Sequence, residues 1–170
     1  LTELAAEAGV SVERVAMRLI MENPNRCVSF RCMSPDNLRR IVLTPWVCAG
    51  SDSVSMPLDD PESNGHPRSV GTFPRFFRMT ASELGVGEAV RKMTSLPARI
   101  FRIPDRGVIR RGYVADLVVF DAEKFDSKAG FRGEDPMPSG MERVMVAGRT
   151  AWSAAEPEHV GRFGRYLPIA

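Results

Sequence analysis

The sequence predicts an α/β fold: the end of a parallel sheet or barrel layer, followed by a smaller β-rich region. Three observations carry this. Residues 1–49 read as helix, strand, helix and strand with short connections, the order of βα units. Two strands of the parallel kind cannot bury themselves, since such strands need neighbours and helices on both faces; they read as the last pieces of an unfinished layer. Beyond residue 97 the pattern changes to short apolar runs punctuated by Gly-containing turns.

Each element follows from local chemistry. Thr2 is suited to cap a short helix that ends at Gly9. Ser11 caps a second helix, with Val12, Val15, Ala16, Leu19 and Ile20 on one stripe and Asn23-Pro24 as its stop. Val28, Phe30 and Cys32 alternate as in a strand. Ser34-Pro35 is a cap followed by proline at the first helical position, and Leu38, Ile41 and Val42 form that helix's buried stripe. Trp46–Ala49 is a brief apolar strand ending in Gly50-Ser51-Asp52-Ser53. Residues 53–81, rich first in Pro, Ser and Asp and then in Arg and Phe, read as one long loop, a length usually kept for function. Val86, Ala89, Val90 and Met93 restore helical periodicity, which Pro97 ends or kinks. Asp105-Arg106-Gly107 and Gly112 are turns. Leu117–Phe120 is too uniformly apolar for a strand with one wet face. Met141–Ala147 and Arg149–Trp152 flank Gly148 as a hairpin.

Composition narrows the function. The 170 residues carry a formal charge of +2, with 44% hydrophobic and 26% charged. That excludes wholesale disorder, collagen and a transmembrane bundle. A complete (β/α)₈ barrel takes about 250 residues. The two histidines, His66 and His159, are too few for a self-contained His-rich zinc enzyme. The chain opens on Leu1 without a signal-peptide pattern, and is expected to be part of something larger. Cys27, Cys32 and Cys48 lack CxxC spacing and read as inert thiols of a reducing, cytoplasmic compartment. Twenty of the 23 basic residues are Arg, but 21 acidic residues nearly cancel them. Neither a nucleic-acid footprint nor a membrane partner is expected.

Two places carry candidate chemistry. Asp52 follows a short strand at its carboxyl end, where α/β folds collect reactive groups. There it reads either as a proton-transferring carboxylate or as a turn residue within Gly-Ser-Asp-Ser. In His66-Pro67-Arg68, the planar fork of Arg68 suits a carboxylate. His66 reads as a ligand or proton carrier, or in the commoner role of a hydrogen-bonded loop histidine. Arg75 and Arg78 read as surface or ion-pair residues.

Four motifs then occur in order: Gly50-Ser51-Asp52; HPRSVGTFPRFF over His66–Phe77; EAVRKMTSLPARIF over Glu88–Phe101; and DRGVIRRGYVADLVVFD over Asp105–Asp121. Together with the tail MERVMVAGRTAW and the final GRFGRYL, they resemble the C-terminal third of the D-aminoacylase (N-acyl-D-amino-acid deacylase) family of the amidohydrolase superfamily. HPR-x-x-GTFPR is the most discriminating of them. The resemblance implies a metal-dependent hydrolase (β/α)₈ barrel, with residues 1–97 supplying its last two βα units and the active-site loop 53–81. Residues 98–170 would form a small β-subdomain. It implies hydrolysis of the amide of N-acyl-D-amino acids with zinc as cofactor. Asp52 matches the catalytic, metal-associated aspartate, and Arg68, with His66 beside it, matches a substrate-binding loop. The principal metal ligands of the family would lie upstream, so the chain alone is expected to be inactive and to self-associate or pair with the missing barrel portion. The alternatives are a cyclic amidohydrolase of the dihydroorotase or hydantoinase kind, and a non-catalytic binding or structural piece. Three departures stand out: Ser53 where Gly is usual, the acidic stretch Asp59-Asp60-Pro61-Glu62, and Ala147 where the hairpin turn commonly has Asn.

Overall fold

A computed structural model describes residues 1–24, 33–53, 66–130 and 137–167. The chain divides into two compact units, Leu1–Ser34 and Pro35–Ala170.

In the first unit, helices α1 (Thr2–Ala8) and α2 (Val12–Glu22) pack on each other. Gly9 adopts the left-handed conformation that closes α1. Its amide and that of Val10 return to the carbonyls of Ala6 and Ala5, satisfying two otherwise orphaned acceptors. Thr2 lies inside α1 rather than capping it: the N-cap is Leu1, with no side-chain bond. Ser11 caps α2 as expected, its Oγ accepting from the Arg14 amide. The stripe of α2 is only partly covered, with Val15 buried but Val12 and Ile20 exposed. One short partner helix cannot shield five apolar positions. The alternating strand expected at Val28–Cys32 lies outside the described residues, as do Cys27 and the acidic stretch 59–62.

The second unit begins with α3 (Pro35–Leu43), whose first residue is the expected proline. Of its stripe, Val42 is buried while Leu38 and Ile41 stay exposed. Residues 46–49 do not form the expected strand. A ladder needs a neighbouring strand; here the Ala49 amide instead donates to the Lys92 carbonyl of a helix.

The largest departure is α4 (Arg68–Leu84), seventeen helical residues where a loop was expected to run to residue 81. Pro74 sits in its interior, at a cost of about 3 kcal/mol. The compensation is burial. Gly71, Pro74, Phe77 and Thr80 form a stripe at spacing three, joined by Phe76. Each large apolar side chain so buried contributes roughly 1.5–3 kcal/mol, enough to carry the helix through the proline. Arg75, exposed as expected, also donates from Nε and Nη2 to the carbonyls of Ser127 and Ala129. It thereby fastens the segment that α4 meets at Gly71. A Cβ on Gly71 would come 3.3 Å from Ser127 Oγ, so only glycine allows this approach without adjustment.

Helix α5 (Val86–Met93) follows, and Thr94 breaks it from α6 (Ser95–Ile100). Pro97 neither ends nor kinks a helix. It occupies the first turn of α6, where its missing N–H would have had no partner. The sheet is antiparallel, in the order β1 (Leu117–Phe120), β2 (Met141–Val146), β3 (Arg149–Ser153). Ala147 and Gly148 form the two-residue turn, both at positive φ (49° and 78°), which matches the twist of the hairpin. Asp116 anchors this turn: one carboxylate oxygen accepts from the Ala147 amide at 2.8 Å and the other from Arg106 Nε at 2.7 Å.

The core joins helices to sheet. Phe77 of α4, Phe120 of β1 and Phe125 pack as a three-ring cluster with centroids 4.7–5.4 Å apart. Ala89 of α5 and Met141 of β2 complete it. Residues on both sides of position 97 therefore share one core. Val118 and Val119 of β1 remain about half exposed, so the described residues leave this apolar strand less covered than its sequence implies.

Candidate active site

Asp52 lies past the Thr44–Ala49 segment with φ 51°, a left-handed conformation that Asp tolerates better than most residues. Its carboxylate is 90% exposed, and Oδ2 lies 3.0 Å from Nη1 of Arg68, itself 44% exposed. Arg68 is the first residue of α4. The Arg68 amide donates to Nδ1 of His66 at 3.1 Å, so a neutral His66 ring carries its proton on Nε2. A second tether runs beside the ion pair: the hydroxyls of Ser53 and Ser69 are 2.6 Å apart. Ser53, the residue standing where glycine is usual, thus joins the Asp52 segment to the first turn of α4. Of the three predicted site residues the structure brings Asp52 to Arg68, while His66, two residues before Arg68, accepts from its amide.

The approach to Asp52 is held from the other side by α5. Arg91 Nη2 donates to the Pro45 carbonyl at 2.8 Å, and Lys92 Nζ donates to the Thr44 carbonyl. The Lys92 carbonyl accepts from the Ala49 amide at 3.2 Å. Lys92 is fully buried, and loss of water around its ammonium pushes its pKa below the usual lysine value. Arg91 is in turn gripped by Glu88 through two 2.7 Å bonds; these hold the Glu88 carboxyl below its ordinary range. Neither basic residue was singled out in the sequence. The available signal was Lys92 standing three residues after Ala89 and four before Leu96, a charge on a buried face.

Among the described residues no three His, Cys, Asp or Glu side chains converge as a metal cluster, and no helix is long and apolar enough to cross a membrane. An apolar cavity of about 670 Å³ lies between α4, α5 and β1, lined by Phe73, Val90, Met93, Val118 and Phe120 among others. Asp52, His66 and Arg68 do not line it.

The model of the amidohydrolase family matches residues 2–151. The chain belongs to this family. Along 98% of its length this chain is 36% identical to N-acyl-D-glutamate deacylase of Alcaligenes xylosoxydans xylosoxydans, covering 33% of that protein. A crystal structure of D-aminoacylase, described as defining a novel subset of amidohydrolases, matches with a TM-score of 0.69 at 33% identity. That match covers 91% of this chain and 31% of the other. The N-acyl-D-glutamate deacylase of Bordetella bronchiseptica, solved with zinc and a phosphonate mimic of the tetrahedral intermediate, matches with a TM-score of 0.64 at 34% identity, over 81% of this chain and 28% of its own. A dihydroorotase of Anaplasma phagocytophilum is 40% identical, but over only 39% of this chain. The chain spans about a third of the length of the deacylases it matches. The resemblance read from the HPR and ADLVVFD motifs is thus borne out at the level of the family.

Proposed function

We propose that this chain is the C-terminal part of a metal-dependent hydrolase that cleaves the amide of N-acyl-D-amino acids to a carboxylate and a free D-amino acid. Residues 1–97 would contribute the last two βα units of its barrel and residues 98–170 its small β-subdomain. The carrying observation is the meeting of Asp52 and Arg68, with the carboxylate and guanidinium 3.0 Å apart and both open to solvent, and His66 on the Arg68 amide. The match to deacylases along nearly the whole of this chain supports the same substrate class, and the short dihydroorotase match gives the cyclic alternative less support.

Asp52 offers a hard oxygen donor of the kind zinc accepts, and its exposure leaves room for a metal. The residues here fit zinc as contributors to a site whose other ligands come from upstream. Zinc, when bound, polarises the scissile carbonyl and activates the attacking water. Asp52 then takes the proton from water and delivers it to the departing amine. Arg68 orients that carboxylate, and the rest of its five-donor fork faces the amino-acid carboxylate of the substrate. His66 fixes the backbone of Arg68 by accepting from its amide through Nδ1. Two histidines do not complete the metal site, so turnover is assigned to the whole enzyme rather than to these residues alone. The setting proposed is a reducing cytoplasm, with pairing to the upstream barrel and no nucleic-acid or membrane partner. The near-neutral charge and unpaired cysteine spacing support it.

The test is Asp52→Asn in the full-length enzyme. Hydrolysis of an N-acetyl-D-amino acid should fall by about a hundredfold or more while zinc content is retained. Turnover at the wild-type level would remove Asp52 from the chemistry.

A further inference from the structure

We propose that Lys92, seconded by Arg91, is a positioning residue for Asp52: helix α5 clamps the segment that delivers the carboxylate. The inference rests on the role proposed for Asp52 and adds to it the device that holds that role in place.

Three hydrogen bonds make the clamp, all from two consecutive residues. Lys92 Nζ holds the Thr44 carbonyl, Arg91 Nη2 holds the Pro45 carbonyl at 2.8 Å, and the Lys92 carbonyl receives the Ala49 amide at 3.2 Å. Both ends of residues 44–49 are therefore fixed to one helix, and Asp52 follows three residues later. Among the described residues no ladder holds this segment, and the clamp fixes it to α5 at both ends. Its far side is tied to α4 by the Ser53–Ser69 and Asp52–Arg68 contacts. Asp52 thus hangs between two helices, and α5 sets its height.

The choice of residue argues for position over bulk stability. A buried ammonium is costly, and an apolar side chain of similar volume is often neutral or better for folding. Lys92 is fully buried beside Ala89, on the face that forms the core. What a methionine there would lose is the hold on Thr44. Displacing a catalytic group by about 1 Å is enough to cost up to a hundredfold in rate.

The experiment compares Lys92→Met, Arg91→Met and Asp52→Asn in the full-length enzyme, singly and with Lys92→Met combined with Asp52→Asn. Lys92→Met should lower kcat by about ten- to a hundredfold, with KM changed by less than about twofold and no fall in Tm. Amide exchange at Val47–Ala49 should quicken. Combined with Asp52→Asn, Lys92→Met should lower kcat no further, because its effect runs through Asp52. Arg91→Met, which leaves the buried lysine in place, should give the same kcat-only loss at a few-fold, and serves if Lys92→Met does not fold. Unchanged kcat in both methionine variants, or an undiminished loss in the Asp52→Asn background, would overturn the clamp. Wild-type turnover by Asp52→Asn would instead overturn the functional reading; the exchange measurement would still report the clamp.

Discussion

Helices α2 and α4 are both amphipathic, and they end differently. Helix α2 has good formers, a serine cap and a clean apolar stripe, yet of its own residues only Val15 is buried. Helix α4 has a glycine and a proline in its interior and no capping side chain, yet five of its residues are buried. Periodicity states which face of a helix is apolar; it says nothing about what covers that face. Helix α4 is stable because β1, the segment after it and α5 supply its cover through Phe120, Phe125 and Ala89.

Substitutions can break or sharpen this contrast. The largest effect is expected at Phe77, which is 1% exposed and touches both other rings of the cluster. Phe77→Ala should cost about 3–5 kcal/mol in chemical denaturation, and a loss below about 1 kcal/mol would mean the cover of α4 lies elsewhere.

Asp116 joins the start of β1 to the hairpin turn, so its removal tests how far the sheet half of that cover depends on polar anchoring. Asp116→Ala should cost about 1–2 kcal/mol near neutral pH. The Ala147 amide, and after it Arg106, hold the Asp116 carboxyl below the usual aspartate range. A depressed folded-state pKa gives stability that is present above the unfolded value, near pH 4, and lost as pH falls through the folded one. The difference between wild type and variant should accordingly shrink between about pH 5 and pH 2. A difference that stays constant over that range would rule out the charge as its source.

Ile20 of α2, 58% exposed, is the counterpart of Phe77. Ile20→Ala should cost well under about 1 kcal/mol. In the full-length enzyme a cost of about 2 kcal/mol or more would show that the stripe acquires a cover there. The smallest effect is expected at the hairpin tip. Ala147 holds φ 49°, which asparagine adopts more readily, so Ala147→Asn should stabilise by about 0.5 kcal/mol. An unchanged Tm would show that the Asp116 bond alone decides the turn.

Features set by one or two neighbouring residues were legible in the sequence: the Gly9 and Ser11 caps, the proline opening α3, and the Ala147-Gly148 hairpin. Helix α4 was not, because Gly71 and Pro74 read as breakers until their shared spacing with Phe77 and Thr80 is noticed. The strand expected at Trp46–Ala49 required a neighbour that local pattern cannot supply. At the site, Asp52, His66 and Arg68 could be picked out, but their meeting rests on α4 starting at Arg68, which a loop reading hides. Lys92 went unnoticed because a charge on a helix is read as facing water.

The left-handed backbone at Asp52 decides what a substitution there measures. Asparagine keeps both the shape of the side chain and the tolerance for φ near 51°, so Asp52→Asn removes little besides the charge. Alanine would add backbone strain on the order of 1 kcal/mol and free Arg68 from its partner at the same time. A rate lost in Asp52→Ala would add backbone strain and an empty side-chain site to the loss of the charge and its ion pair, whereas the isosteric variant removes the charge and that pair alone. At this position the conservative replacement is the more informative, and a systematic alanine survey would assign to proton transfer what belongs in part to the fold of a single residue.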